Sequence, residues 1–216
     1  MLSPDIIRLL LIVCFLYFGY NITYIILFKQ RHKNKNVKND AIKSKEARLF
    51  ARIGIHFINA FIFLCCLNIF IYQYWILIFP RIYLFNLENI VQIVGFTLVI
   101  GGNVTLLLAY RKLGVLWAYP IDGTKKENKL VKSGIYSKIR HPVYLSFNIF
   151  CLGFNLILLD WFLLIIYLIG SIGLYFQTID EEKILIEYFG DEYLEYMKKT
   201  GRFFAKFKKY RHIDLI

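Results

Sequence analysis

Two stretches of this chain carry residue types that could do chemistry. One runs Gly134-Ile135-Tyr136-Ser137-Lys138-Ile139-Arg140-His141-Pro142-Val143-Tyr144, and the other is the acidic triplet Asp180-Glu181-Glu182. Pro142 suits the first turn of a helix, where its missing N–H would be unpaired anyway, and it restricts His141 to an extended conformation. Arg140 and His141 therefore stand just ahead of a helix N-terminus. The free N–H groups and partial positive charge there, beside a guanidinium fork, suit a carboxylate or phosphate. The same two residues also suit plain interfacial anchoring at the edge of a membrane span. The acidic triplet has two readings as well. It is either a structural ion pair or half of a split site, facing the cationic or polar end of a ligand while Arg140 holds the anionic end.

The elements that must position these residues are long and apolar. Uncharged runs cover Leu9 to Phe28, Ile53 to Phe79, Asn89 to Tyr110, Pro142 to Leu159 and Trp161 to Ile179. Each is near or above the roughly 20 residues a helix needs to cross hydrocarbon, which predicts an all-α integral membrane protein with about five transmembrane helices. The second run would be on the order of 40 Å long as a helix and must tilt, bend or extend into the head groups. Asp160 alone separates the fourth and fifth runs and reads as the tip of a tight hairpin, which would bring Arg140 and His141 beside the acidic triplet. Gly101, Gly102 and Asn103 interrupt the third run and mark either a close helix approach or a kink beside a ligand cavity. Beyond the fifth run, Ile184, Leu185, Tyr188 and Phe189 recur at helical spacing until Gly190 and Asp191 break the pattern; Tyr193, Tyr196 and Met197 follow. These predict C-terminal amphipathic helices at the membrane surface that close a cytosolic cofactor site.

Composition agrees with a membrane setting. Of 216 residues, 58% are apolar, more than a soluble domain of this length can bury. The formal charge is +12, but the basic residues fall between the apolar runs, so they read as head-group contacts rather than a nucleic-acid surface. Residues 29–48, 111–141 and 180–216 each hold eight Lys or Arg, which by the positive-inside rule places all three in the cytosol, with the N-terminus outside and the C-terminus inside. The stretch 29–48 reads as a solvated basic connector without chemistry. Two blocks result: residues 1–110 with three N-terminal transmembrane helices, and residues 111–216 as the catalytic region. Cys14, Cys65, Cys66 and Cys151 lie inside apolar runs without metal-ligand spacing and read as small buried hydrophobes, so no metal is expected. The first run lacks a small-residue cleavage site and reads as a retained span rather than a secretory signal.

The stretch Lys129-Leu130-Val131-Lys132-Ser133-Gly134-Ile135-Tyr136, then Arg140-His141-Pro142-Val143-Tyr144, then Glu181-Glu182, Phe189-Gly190-Asp191-Glu192-Tyr193 and Tyr196, resembles the isoprenylcysteine carboxyl methyltransferase family and its phospholipid methyltransferase relatives. The resemblance covers roughly the C-terminal ninety residues, with Leu113, Gly114 and Trp117 as a weak extension upstream. It implies an integral-membrane enzyme that transfers a methyl group from S-adenosyl-L-methionine, without a Rossmann-type glycine fingerprint. By this resemblance Lys129, Leu130, Val131, Gly134, Tyr136, His141, Tyr144 and the pair Glu181/Glu182 would cradle the cofactor. Arg140, Glu181 and Glu182 would carry catalysis, with Arg140 orienting the methyl acceptor or the donor's carboxylate. Two departures stand out. Ser146 occupies a position where a Gly is usual, and Gly201-Arg202-Phe203-Phe204-Ala205 replaces a Pro-x-x-x-Pro-like ending.

The implied acceptor is a prenylcysteine-type carboxylate or another small lipid-soluble acid, with a phospholipid or amine N-methyltransferase as the alternative. A carboxylate is nucleophilic once ionised; an amine must first lose a proton, for which Glu181, Glu182 or His141 are candidates. A membrane reductase of the sterol reductase type, using NADPH, shares an Arg-His-x-x-Tyr segment but usually has Asn where this chain has Val143, and lacks the paired acids. A non-catalytic lipid-binding membrane protein is the remaining reading. The expected partners are a lipophilic or prenylated substrate and membrane lipids, in the cell membrane of a prokaryote or the endoplasmic reticulum of a eukaryote. Cysteine labelling or protease mapping should place 29–48, 111–141 and 180–216 on one side and the neighbourhood of Arg81 and Asp160 on the other; finding 111–141 and 180–216 on opposite sides would separate the two motif halves.

Overall fold

The computed structural model describes residues 4–31, 47–79, 81–114 and 129–206. Most of the connector 29–48, the stretch 115–128 with Trp117, and the segment 207–216 lie outside the described residues. The described chain is helical: α1 (Pro4–Arg31), α2 (Ala47–Ile78), α3 (Glu88–Leu113), α4 (Pro142–Leu158), α5 (Trp161–Phe189) and α6 (Asp191–Lys199), with a 3-10 turn at Gly134–Ser137. Among the described residues, α3 and α5 are long and apolar enough to cross a membrane, and His56–Asn68 and Pro142–Leu158 are shorter apolar helices.

The helix α4 packs mainly on α3, and α5 on α2. Glycine allows the first contact to form backbone against backbone. A Cβ on Gly153 would lie 2.6 Å from the Gly95 carbonyl oxygen, and one on Gly102 would lie 2.9 Å from the Phe150 amide nitrogen. Gly102 therefore serves the close approach, while Gly101 faces open space and the helix runs on through both. In an apolar surrounding such small-residue contacts let dispersion and polar side chains join helices. Gln92, buried in the seam, donates Nε2–H to the Ile157 carbonyl at 3.0 Å. Ser146 is buried in α4 and donates to the Val143 carbonyl at 2.6 Å. The N-terminal helix joins this core through Ile7, Leu11 and Cys14, and Phe15 lies with its ring 4.6 Å from that of Phe154.

The long second run bends: Ile71, at φ −111° and ψ 23°, interrupts the helical backbone of α2. Beyond that bend Trp75 reaches the turn between α4 and α5. Its Nε1–H donates to Asp160 Oδ2 at 2.6 Å, and Asp160 Oδ1 accepts the Leu163 N–H at 2.8 Å as the N-cap of α5. The tight hairpin tip expected at Asp160 is present, with Leu159 in the left-handed region at φ 52°, and it also binds α2. Cys14, Cys65 and Cys151 are buried, Cys66 is half-buried, all four are free, and no metal-holding cluster occurs among the described residues. Gly153→Leu should overpack the α3–α4 seam, costing about 1–3 kcal/mol or more, whereas Gly101→Leu should leave thermal unfolding in detergent unchanged or shifted upward.

Candidate active site

Pro142 occupies the first turn of α4 with His141 at its N-cap position, as the sequence predicts, but His141, at φ −121° and ψ 59°, is not extended as Pro142 would dictate. Ahead of it, Gly134 takes φ 62°, a left-handed conformation that glycine adopts freely, and starts the 3-10 turn that carries Tyr136. At the other end of the site, α5 continues without a break past Ile179, since nothing there stops a helix, and ends at Gly190 with φ 55°. The short helix α6 then folds back. Tyr193 and Tyr196 face inward from it, and the Tyr196 hydroxyl donates to the Tyr136 carbonyl at 2.6 Å. The chain after α6 lies parallel to the approach to α4. Arg140 N–H donates to the Gly201 carbonyl at 2.9 Å, His141 N–H to the Arg202 carbonyl at 3.1 Å, and Gly201 N–H to the Lys138 carbonyl at 3.1 Å.

These segments converge on Glu182, which is 3% exposed. Arg140 Nε donates to its Oε1 at 2.8 Å, His141 Nε2 lies 3.2 Å from the same oxygen, and Arg202 reaches both oxygens, at 3.2 Å from Nε and 2.5 Å from a terminal nitrogen. Burial alone would push the Glu182 pKa up. The hydrogen bonds from His141, Arg202 and Arg140 outweigh it and hold the carboxyl well below the usual carboxylate range. Arg140 spends its remaining described contacts on the carbonyls of Thr200 and Met197. The carboxylate likewise raises the Arg202 pKa, and that guanidinium lies 5.2 Å from the centre of the Tyr175 ring.

Glu181, the next residue, projects about 100° around the helix from Glu182. Its side chain is 43% exposed. Oε2 lies 3.7 Å from His141 Nδ1, beyond hydrogen-bond length, and is itself buried with no hydrogen-bond partner among the described residues. Tyr144 lies against the same carboxylate, and its ring packs edge-on to His141 at 5.7 Å. Among the described residues Asp180 pairs with the exposed Lys183, at 3.2 Å. Arg140, His141, Tyr144, Glu181 and Glu182 are thus brought together, with Tyr136 beneath α6. Val131 packs on the hydrophobic core, Leu130 is half-buried, and Lys129 and Gly134 are exposed along the same approach.

Sequence reasoning missed Arg202 as a site residue. Its signal lay in charge balance: Thr178 and Glu182 share the buried face of α5, and a carboxylate on that face needs more than one donor group. Arg202 stands in the segment whose ending departs from the expected pattern.

Residues 90–192 match the family described as phospholipid methyltransferase, a span that takes in most of α3, the Arg-His-Pro start of α4, the paired acids and the start of α6. The chain is also similar to individual proteins named as isoprenylcysteine methyltransferases. It is similar to the protein-S-isoprenylcysteine O-methyltransferase of Saccharomyces cerevisiae, at 36% identity over 130 residues, covering 57% of this chain and 54% of the relative. The Xenopus laevis protein of the same name is 33% identical over 119 residues, covering 53% and 41%, and the Homo sapiens one 29% over 136 residues, covering 56% and 48%. The matched stretch spans about half the length of these curated relatives.

The two acids should respond unequally to mutation. Glu182→Gln leaves two guanidiniums short of their counter-ion and should destabilise by about 3–5 kcal/mol, while Glu181→Gln should stay within about 1 kcal/mol. Since the Glu182 pKa is lower folded than unfolded, its stabilisation is complete above the unfolded value of about 4.3 and is lost as pH falls below it. Thermal unfolding followed from pH 7 to pH 3 should show a decline below about pH 5 that shrinks in Glu182→Gln.

Proposed function

We propose that this chain is an integral-membrane methyltransferase that moves a methyl group from S-adenosyl-L-methionine to a prenylcysteine-type carboxylate. The observation that carries this reading is Glu181: an acid beside His141 and Tyr144, with a buried oxygen lacking a partner, held in place by the Glu182 cluster next to it. The cofactor fits that environment, because its ammonium and sulfonium are cationic and the cleft offers an unpaired carboxylate oxygen. When bound it supplies an activated methyl group on sulfur. The names of the relatives support an O-methyltransferase directed at isoprenylcysteine.

The chain's own residues then have distinct tasks. Glu181 binds the cationic part of the donor, and His141 and Tyr144 line the cleft beside it. Lys129, Leu130, Val131, Gly134 and Tyr136, on the approach to α4, contribute the rest of the donor's surroundings. Arg140, Arg202 and Glu182 fix the backbone that carries them. A carboxylate acceptor needs no base at neutral pH, so positioning and exclusion of water suffice. An amine acceptor would need one. Glu182, held ionised by three partners, is poorly suited to take a proton, which favours the carboxylate over phospholipid N-methylation.

In this reading α1 to α5 are five spans, the N-terminus is outside, and the site opens to the cytosol under α6. Residues 111–216 form the catalytic region on a scaffold of residues 1–110, and lipids cover the apolar faces. Calorimetry on the detergent-solubilised protein should give S-adenosylhomocysteine a dissociation constant of about 1 µM, or about 8 kcal/mol, and NADPH no binding. Labelled methyl should pass from the donor to N-acetyl-S-farnesylcysteine. Binding of NADPH in preference to S-adenosylhomocysteine would move the protein to the reductase class.

A further inference from the structure

Gln177 precedes Glu181 by four residues on α5, so the two side chains share a helix face about one turn, or 5.4 Å, apart. Both are half-buried, and each carries one buried oxygen, Gln177 Oε1 and Glu181 Oε2, with no hydrogen-bond partner among the described residues. An amide oxygen deprived of both water and a donor is costly, and costlier among apolar groups. Gln177 belongs to the uncharged run of α5, where an apolar residue would avoid that cost. On the Glu181 side, His141 Nδ1 stays 3.7 Å from Oε2, and the Tyr144 hydroxyl lies against the same carboxylate without giving Oε2 a hydrogen bond.

Two unpaired acceptors on one face, one of them an anion, restrict what can bind. An anion would be repelled by Glu181, and an apolar group would leave both oxygens unpaired. A single ammonium has three N–H donors and can satisfy both at once: two hydrogen bonds of about 2.9 Å diverging at the tetrahedral angle bridge acceptors about 4.7 Å apart, a spacing two flexible side chains one turn apart can adopt. The arrangement is graded. The charged acceptor sits at the half-exposed mouth, and the neutral one lies a turn deeper, where burying a charge would cost more.

We propose that Gln177 is a further ligand-binding residue, and that Gln177 Oε1 and Glu181 Oε2 together accept hydrogen bonds from the α-ammonium of a methionine-type donor. This rests on the methyltransferase reading and adds to it the residue that selects donors with an intact amino-acid end.

The test compares two ligands on the full chain in detergent. S-Adenosylhomocysteine keeps the α-ammonium; 5′-methylthioadenosine has the same adenosine and thioether but no amino-acid end. Gln177→Met, close in length and without the oxygen, should weaken S-adenosylhomocysteine about tenfold and leave 5′-methylthioadenosine unchanged. Its melting temperature should hold or rise, because the deleted oxygen has no partner to lose. Gln177→Glu keeps an acceptor and should retain S-adenosylhomocysteine affinity to within about threefold. Equal weakening of both ligands, no weakening of either, or a fall in melting temperature that parallels the affinity loss overturns the assignment. A parent protein that binds neither ligand overturns the methyltransferase reading itself, a pattern distinct from any effect of Gln177.

Discussion

Burying the Glu182 charge without partners would cost several kcal/mol, and the way the chain meets that cost organises the whole end of the molecule around it. The compensating groups come from two different places in the sequence: Arg140 and His141 ahead of α4, and Arg202 beyond α6. Each is brought in by backbone that is itself hydrogen-bonded, with the chain around Gly201 running beside Lys138 to His141. The carboxylate thus closes a ring through α4, α5 and the segment after α6. Opening that ring at any one group leaves the others buried with the wrong charge balance, so the segments hold together or separate together.

A second buried acid acts at the far end of the same helix. Asp160 caps α5 and accepts the Trp75 indole N–H, which ties the hairpin to α2. Asp160 and Glu182 are 22 residues apart on one continuous helix, a rise of about 33 Å and close to the thickness of hydrocarbon. Between them α5 is apolar and packs on α2 through contacts that do little to fix its position along the axis, such as Ile58 against Gly170. The two acids supply that fixing. A helix held at both ends by polar groups that cannot enter lipid has little freedom to slide, and Glu181 and Gln177 inherit that precision.

What was legible in the sequence follows from local pattern. The Pro142 start, the Asp160 tip and the Gly190 stop are each signalled by one residue type with a known backbone preference, and together they fold α4 and α5 so that Arg140 meets Glu182. What was not legible depends on contacts between distant residues. Gly95 and Gly153 read as ordinary glycines until the helices touch, whereas Gly102 was singled out only because Gly101 and Asn103 flank it. Trp75 has no sequence neighbour that announces Asp160. Arg202 sits in a short irregular segment without period, and its assignment needs the knowledge that α6 folds back over Tyr136.

The paired acids could not be told apart by spacing, yet their surroundings differ because adjacent helical residues face different neighbours. Glu182 meets two guanidiniums, so that cluster carries a surplus of positive charge whatever the state of His141. Glu181, about 100° around the helix, keeps a carboxylate that solvent still reaches. Opposite fields therefore stand within one turn of α5, where partial exclusion of water strengthens both. In the proposed reaction a cationic donor and an anionic acceptor meet and their charges cancel as the methyl group moves. A pocket of uniform sign would attract one reactant and repel the other. A pocket with the two signs side by side can hold both, and the adjacent glutamates, one neutralised by arginines and one left open, are a compact way to build it.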